Sequence, residues 1–303
     1  MADRIAVVLS KSRQADSSSE LREQSIVRLL AGEREIELVV IPHLYDLAPE
    51  GPALVRLRAI EGDMVVLSWL YPRAAFWVLN AHGIKGRLGA KASLFEADRV
   101  EPSEARKPLS ARTIWCFDLR TIGRPERCVD QVLRIARSRI EGRLEQAGRA
   151  QTGVHEVVET IRPRWYPVVD YSRCAGCLEC VNFCLFGVYG LGQDNLPVVE
   201  QPDACRPGCP ACARVCPQKA IMFPQHHEPG IAGDPDASPQ GLIPGISPLS
   251  GGQGPTEVAE SERRRVLVEQ QARKPVEPTQ QTHSTPDRDD LERLVDEVDK
   301  LDL

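Results

Sequence analysis

Four apolar runs punctuate the first 120 positions: IAVVLS (5–10), IELVVIPHL (36–44), DMVVLSWL (63–70) and RTIWCFDL (112–119). Each is short, rich in Val, Ile and Leu, and continuous rather than alternating. That is the pattern of strands buried on both faces. Between them lie helical stretches at 20–30, 51–60 and 72–81, the last opened by Pro72, whose missing amide hydrogen is tolerated at a first helical position. A longer charged helix follows at 124–146.

Strand and helix in alternation predict an α/β domain with a parallel sheet, Rossmann-like or flavodoxin-like, over residues 1–150. The pattern then changes. Residues 160–227 form a small cysteine-rich domain, and residues 228–288 hold nine prolines and seven glycines with few aromatics. That composition cannot offset the entropy of ordering, so a disordered linker is expected, with one weak helix at 257–273. At the end, DDLERLVDEVDKLDL puts Leu291, Leu294, Val295, Val298 and Leu301 on one face of an amphipathic helix over 289–303. Such a helix suits a partner's groove, and a tether of this kind has a reach on the order of 40 Å.

The net charge of -5 is local: residues 287–303 hold eight acids and three bases, leaving 35 of each sign elsewhere. No basic stripe suits a phosphate backbone, so nucleic acid is not an expected partner. No apolar run approaches the ~20 residues of a membrane span. In the opening MADRIAVVLSKS, Asp3 and Arg4 precede only five apolar residues, too few for a secretory segment, and the expected location is the cytoplasm.

In that setting the ten cysteines point to metal rather than disulfides. Eight form two runs, Cys174-x2-Cys177-x2-Cys180-x3-Cys184 and Cys205-x3-Cys209-x2-Cys212-x3-Cys216-Pro217. A cubane cluster presents four iron corners, and thiolates at short regular gaps on a curved loop each reach a different one. Zinc sites instead pair two Cys-x-x-Cys units across a longer loop, whereas here three cysteines fall within seven residues in the first run and within eight in the second. The segment is also duplicated: VVDYSRC (168–174) echoes VVEQPDAC (198–205), and Cys177, Cys180 and Cys184 recur 32 residues on as Cys209, Cys212 and Cys216. VYGL (188–191) and LPVV (196–199) read as a hairpin.

With the CPQKAIMF ending (216–223), residues 164–224 resemble a bacterial-type two-cluster ferredoxin. The resemblance implies two 4Fe-4S clusters with crossed ligand sets. Cys174, Cys177, Cys180 and Cys216 would bind one, and Cys205, Cys209, Cys212 and Cys184 the other. It departs from the family at Leu185, where a proline usually follows the fourth cysteine, and at the three-residue gap Arg206-Pro-Gly.

Weaker features have plainer readings. Cys116 and Cys128 read as small buried hydrophobes, and His226-His227 as the solvated start of the linker. In SKSRQADSSSE (10–20), Ser17-x-x-Glu20 is a capping box rather than a phosphate loop. Gly83, in the triplet with Gly86 and Gly89, reads as a helix C-cap. His43 and His82 lie where open parallel sheets bind ligands, and the alternation is similar to that of class II chelatases, although the first strand ends Leu9-Ser10 without a histidine. The expected function is that of an iron-sulfur electron-transfer protein, or an electron-transfer subunit of a larger oxidoreductase, relaying single electrons to a redox partner protein. The alternative is an oxidoreductase whose α/β domain binds a substrate or cofactor and is fed by the ferredoxin part.

Overall fold

The computed structural model describes residues 4–14, 16–89, 112–140, 153–192, 194–236 and 255–273. Residues 1–266 form one compact unit, and residues 267–303 a second, of which only 267–273 are described. The expected terminal helix at 289–303 and the end of the helix at 124–146 lie outside the described residues. Among the described residues, no helix is long and apolar enough to cross a membrane.

The first unit begins as β1 (Ile5–Ser10), α1 (Ser17–Leu30), β2 (Ile36–Ile41), α2 (Pro52–Arg58), β3 (Met64–Ser68) and α3 (Pro72–Ala81). It continues through β4 (Arg87–Leu88), β5 (Thr113–Asp118), α4 (Pro125–Ile140) and β6 (Val154–Glu156). The strands make one six-stranded sheet in the order β4-β5-β3-β1-β2-β6, with every pair parallel. The sheet thus takes its last strand from residues past position 150.

All residues of β1 and β3 are buried, as continuous apolar runs require when helices cover both faces. Successive side chains point to opposite faces. Ile5, Val7 and Leu9 pack with Leu38, Val40, Val65 and Leu67 beneath α1 and α4. Ala6, Val8, Val39, Ile41 and Val66 face α2 and α3 in a core that continues into Tyr166, Val169, Met222 and Phe223. Cys116 and Cys128 lie in these two separate cores, and burial pushes the Cys128 thiol up to about 12 and that of Cys116 higher still, as suits hydrophobic filler.

Caps fix the helix ends. Asp16, not Ser17, is the N-cap of α1, its carboxylate accepting from the Ser19 amide at 2.8 Å. Pro72 opens α3, and Gly83, at φ +83°, follows its last residues while Ile84 N–H reaches back to the Leu79 carbonyl at 3.0 Å.

The cysteine-rich part comprises β7 (Val168–Val169), α5 (Glu179–Phe183), β8 (Tyr189–Leu191), β9 (Pro197–Val199), α6 (Ala211–Val215) and β10 (Ile221–Met222). β7 pairs antiparallel with β10, and β8 with β9 in the expected hairpin. The stretch read as a linker does not begin disordered. α7 (Pro229–Ala232) buries Ile231 and Ala232, and α8 (Pro255–Arg273) buries Ala259 and Val266.

Candidate metal centres

The two cysteine runs fold alike. Before the first, the Asp170 carbonyl accepts from the Arg173 and Cys174 amides, while its carboxylate accepts from the Ser172 amide at 2.9 Å. Gly176 takes φ +72° and Leu178 φ +61°, which curls the loop so that Cys177 faces outward and Cys180 enters the first turn of α5. Cys184 stands at the C-cap of that helix. In the second run Gly208, at φ +78°, holds the place equivalent to Gly176, Cys212 lies in α6 and Cys216 is its C-cap. The extra residue of Arg206-Pro-Gly is absorbed in a turn closed by the Cys209 amide on the Arg206 carbonyl at 3.1 Å.

These loops enclose two small cavities. One is lined by Cys174, Cys177, Cys180 and Cys216, with Val169, Ile221 and Pro197 behind them. The other is lined by Cys184, Cys205, Cys209 and Cys212, with Phe183, Phe186 and Tyr189. Each cavity therefore takes three cysteines from one run and the last from the other. Their polar lining is sulfur, apart from Gln218 and Glu179 in the first and Tyr189 and Arg263 in the second.

Burial, the largest cause, with neighbouring sulfurs adding to it, pushes Cys180 up to about 12 and Cys205 and Cys212 further, the last in spite of the Tyr189 hydrogen bond. Tyr189 donates to the Cys212 sulfur at 3.1 Å, and the Ala220 amide to the Cys216 sulfur at 3.3 Å. Among the described residues no three cysteine sulfurs lie within 4.8 Å of one another. Cys177 is the exposed member of the eight.

The other candidate groups serve structure. His226 and His227 adjoin Glu228, but Arg214 holds that carboxylate in a two-pronged ion pair and the Glu228 amide donates to His226 Nδ1 at 3.0 Å. His43 is buried with Nδ1 3.1 Å from Asp46, and Nε2 of His82 lies 3.4 Å from the Tyr166 hydroxyl. Both histidines brace the seam to the cysteine-rich part. That seam was not foreseen from sequence. Tyr45 stacks on Tyr166 at 4.4 Å and its hydroxyl accepts from the Tyr166 amide at 2.7 Å. Arg13 and the Arg164 amide converge on Asp46, and Arg73 reaches Asp170 at 2.6 Å and the Lys219 carbonyl at 2.8 Å. The only hint was the RWY triplet (164–166) at the start of the cysteine-rich segment.

Known proteins match about a fifth of the chain. An uncharacterized ferredoxin of Methanocaldococcus jannaschii is 41% identical over 66 residues, which is 22% of this chain and 44% of that protein. A second uncharacterized ferredoxin of that organism is 44% identical over 55 residues, 18% of this chain and 86% of its own length. A ferredoxin of Methanothermococcus thermolithotrophicus is 38% identical over 55 residues, 18% of this chain and 88% of its own length. No protein-family profile and no solved structure matches. The chain belongs to the ferredoxin family through a domain that makes up about a fifth of its length.

Proposed function

We propose that this protein is an iron-sulfur electron carrier that relays single electrons through two 4Fe-4S clusters to a redox partner protein. Cys174, Cys177, Cys180 and Cys216 hold one cluster, and Cys184, Cys205, Cys209 and Cys212 the other. The observation that carries this reading is the pair of cavities, each walled by four sulfurs in the crossed arrangement. When bound, each cluster accepts and releases one electron. The residues of the chain exclude water with Val169, Ile221, Phe183 and Phe186, donate to sulfur from Tyr189 and the Ala220 amide, and leave one edge open at Cys177.

The α/β domain is then a mount. With the short edge strands β4 and β6 set aside, the order β2-β1-β3-β5 is flavodoxin-like, and ligands of such sheets bind where the order reverses, beyond β1 and β3. There the Ser10 hydroxyl accepts from the Leu44 amide at 2.8 Å, and Glu23 accepts from the Ser12 amide and the Trp69 indole, each at 2.7 Å, while Ser12 and Glu23 also line an open hollow with Lys11, Gln14 and Glu156.

Anaerobic purification with iron and sulfide analysis and EPR of the reduced protein tests the proposal. Two interacting reduced clusters are expected, and Cys177→Ala should strip or convert one of them. Unchanged iron and sulfide in that variant would show the ligand assignment to be wrong.

A further inference from the structure

A cation of the α/β domain lies against one of the two cysteine sets. Arg73, on α3, is 6% exposed. Its Nε donates to Asp170 at 2.6 Å and its Nη2 to the Lys219 carbonyl at 2.8 Å, both in the loops that present Cys174 and Cys216. Its Nη1 is buried and meets no acceptor among the described residues. The guanidinium also lies within charge range of the Cys216 sulfur. Its carboxylate partner does not cancel it. Asp170 is 3.7 Å from the Arg173 guanidinium as well and accepts from the Ser172 amide at 2.9 Å, so two cations share one anion beside this cavity.

We propose that Arg73 raises the reduction potential of the cluster held by Cys174, Cys177, Cys180 and Cys216, so that the α/β domain sets the driving force of the ferredoxin part. This rests on the electron-transfer reading above. Reduction adds one electron, and no proton or bond, to a site already negative from four thiolates. A fixed positive charge therefore stabilises the reduced state more than the oxidised one, and a buried charge is little screened by salt.

The test is an EPR-monitored redox titration of the full chain, with Cys177→Ala used to assign which midpoint belongs to this cluster. In Arg73→Gln that midpoint should fall on the order of one tenfold change in the reduced-to-oxidised ratio, about 59 mV for one electron. The other midpoint should stay, and Arg73→Lys, which keeps the charge, should recover most of the shift. Asp170→Asn, which keeps Arg73 and removes its carboxylate, should move the same midpoint upward, and it carries the test if Arg73→Gln does not fold. Unmoved midpoints in loaded Arg73→Gln, equal shifts of both midpoints, or a fall in Arg73→Lys as large as in Arg73→Gln would each overturn the assignment. A wild-type chain without iron and sulfide would overturn the electron-transfer reading with it.

Discussion

Asp46 is a buried carboxylate whose desolvation alone would raise its pKa. The His43 ring, the Arg13 guanidinium and the Arg164 amide outweigh that and bring it down from 3.8 to about 2. Below pH 3.8 the unfolded chain takes up a proton that the folded chain refuses, so this contribution, ~2 kcal/mol at neutral pH, is lost as the pH falls toward 2. His82 works in a higher window. Burial, with Arg164 and Arg58 nearby, lowers it from 6.5 to about 4, so the folded ring stays neutral while the unfolded one is charged. Stability should therefore decline from pH 6.5 toward 4, and urea midpoints across that window should fall less steeply in His82→Asn. An unchanged slope in the variant would rule the histidine out. Sequence legibility at this scale follows distance along the chain. The cysteines declare themselves because their chemistry demands gaps of two or three residues. Arg73 and Asp170 are 97 residues apart, and nothing local to either marks the pair.

At the scale of elements, long buried strands and proline-opened helices were legible because hydrophobic period and capping act locally. β4 and β6 were not: two and three residues are too few to show a period, and β6 is exposed throughout. α8 was only weakly legible because its contact stripe is sparse. Ala259 and Val266, seven residues apart on one face, are buried with Cys209 and Ala211, Arg263 donates to the Phe183 carbonyl at 2.9 Å, and Glu262 pairs with Arg214 at 3.0 Å. The helix thus covers the wall of the second cavity, and Arg263 is part of its lining. Ala259→Glu would place an unpaired charge where the side chain is 0% exposed, which a packed site does not tolerate, so the helix should lift away. In cluster-free protein, alkylation of Cys209 should then quicken while that of Cys174 stays unchanged, read by mass spectrometry. A Cys209 rate equal in Ala259→Glu and in the unsubstituted chain would mean that α8 shields nothing.

For the whole molecule, resemblance to a ferredoxin accounts for about a fifth of the chain, and alternation of strands and helices for the α/β domain. Their union was not legible, because it is made of long-range contacts between aromatic and charged residues whose spacing carries no period. One consequence lies in the order of the chain. β6 completes the sheet beside β2, Glu159 accepts from the Ala53 amide at 2.9 Å, and Tyr166 is locked to Tyr45, all contributed by the segment that leads into the ferredoxin part. The covalent link from α4 to that segment is thus not what joins the two parts. A chain cut between residues 140 and 153 should behave as a split protein whose halves stay associated and elute together from a sizing column without denaturant. Separately expressed halves should also find each other. Halves that part on the column would mean that the peptide bond, rather than the strand and the tyrosine pair, keeps the carrier on its mount.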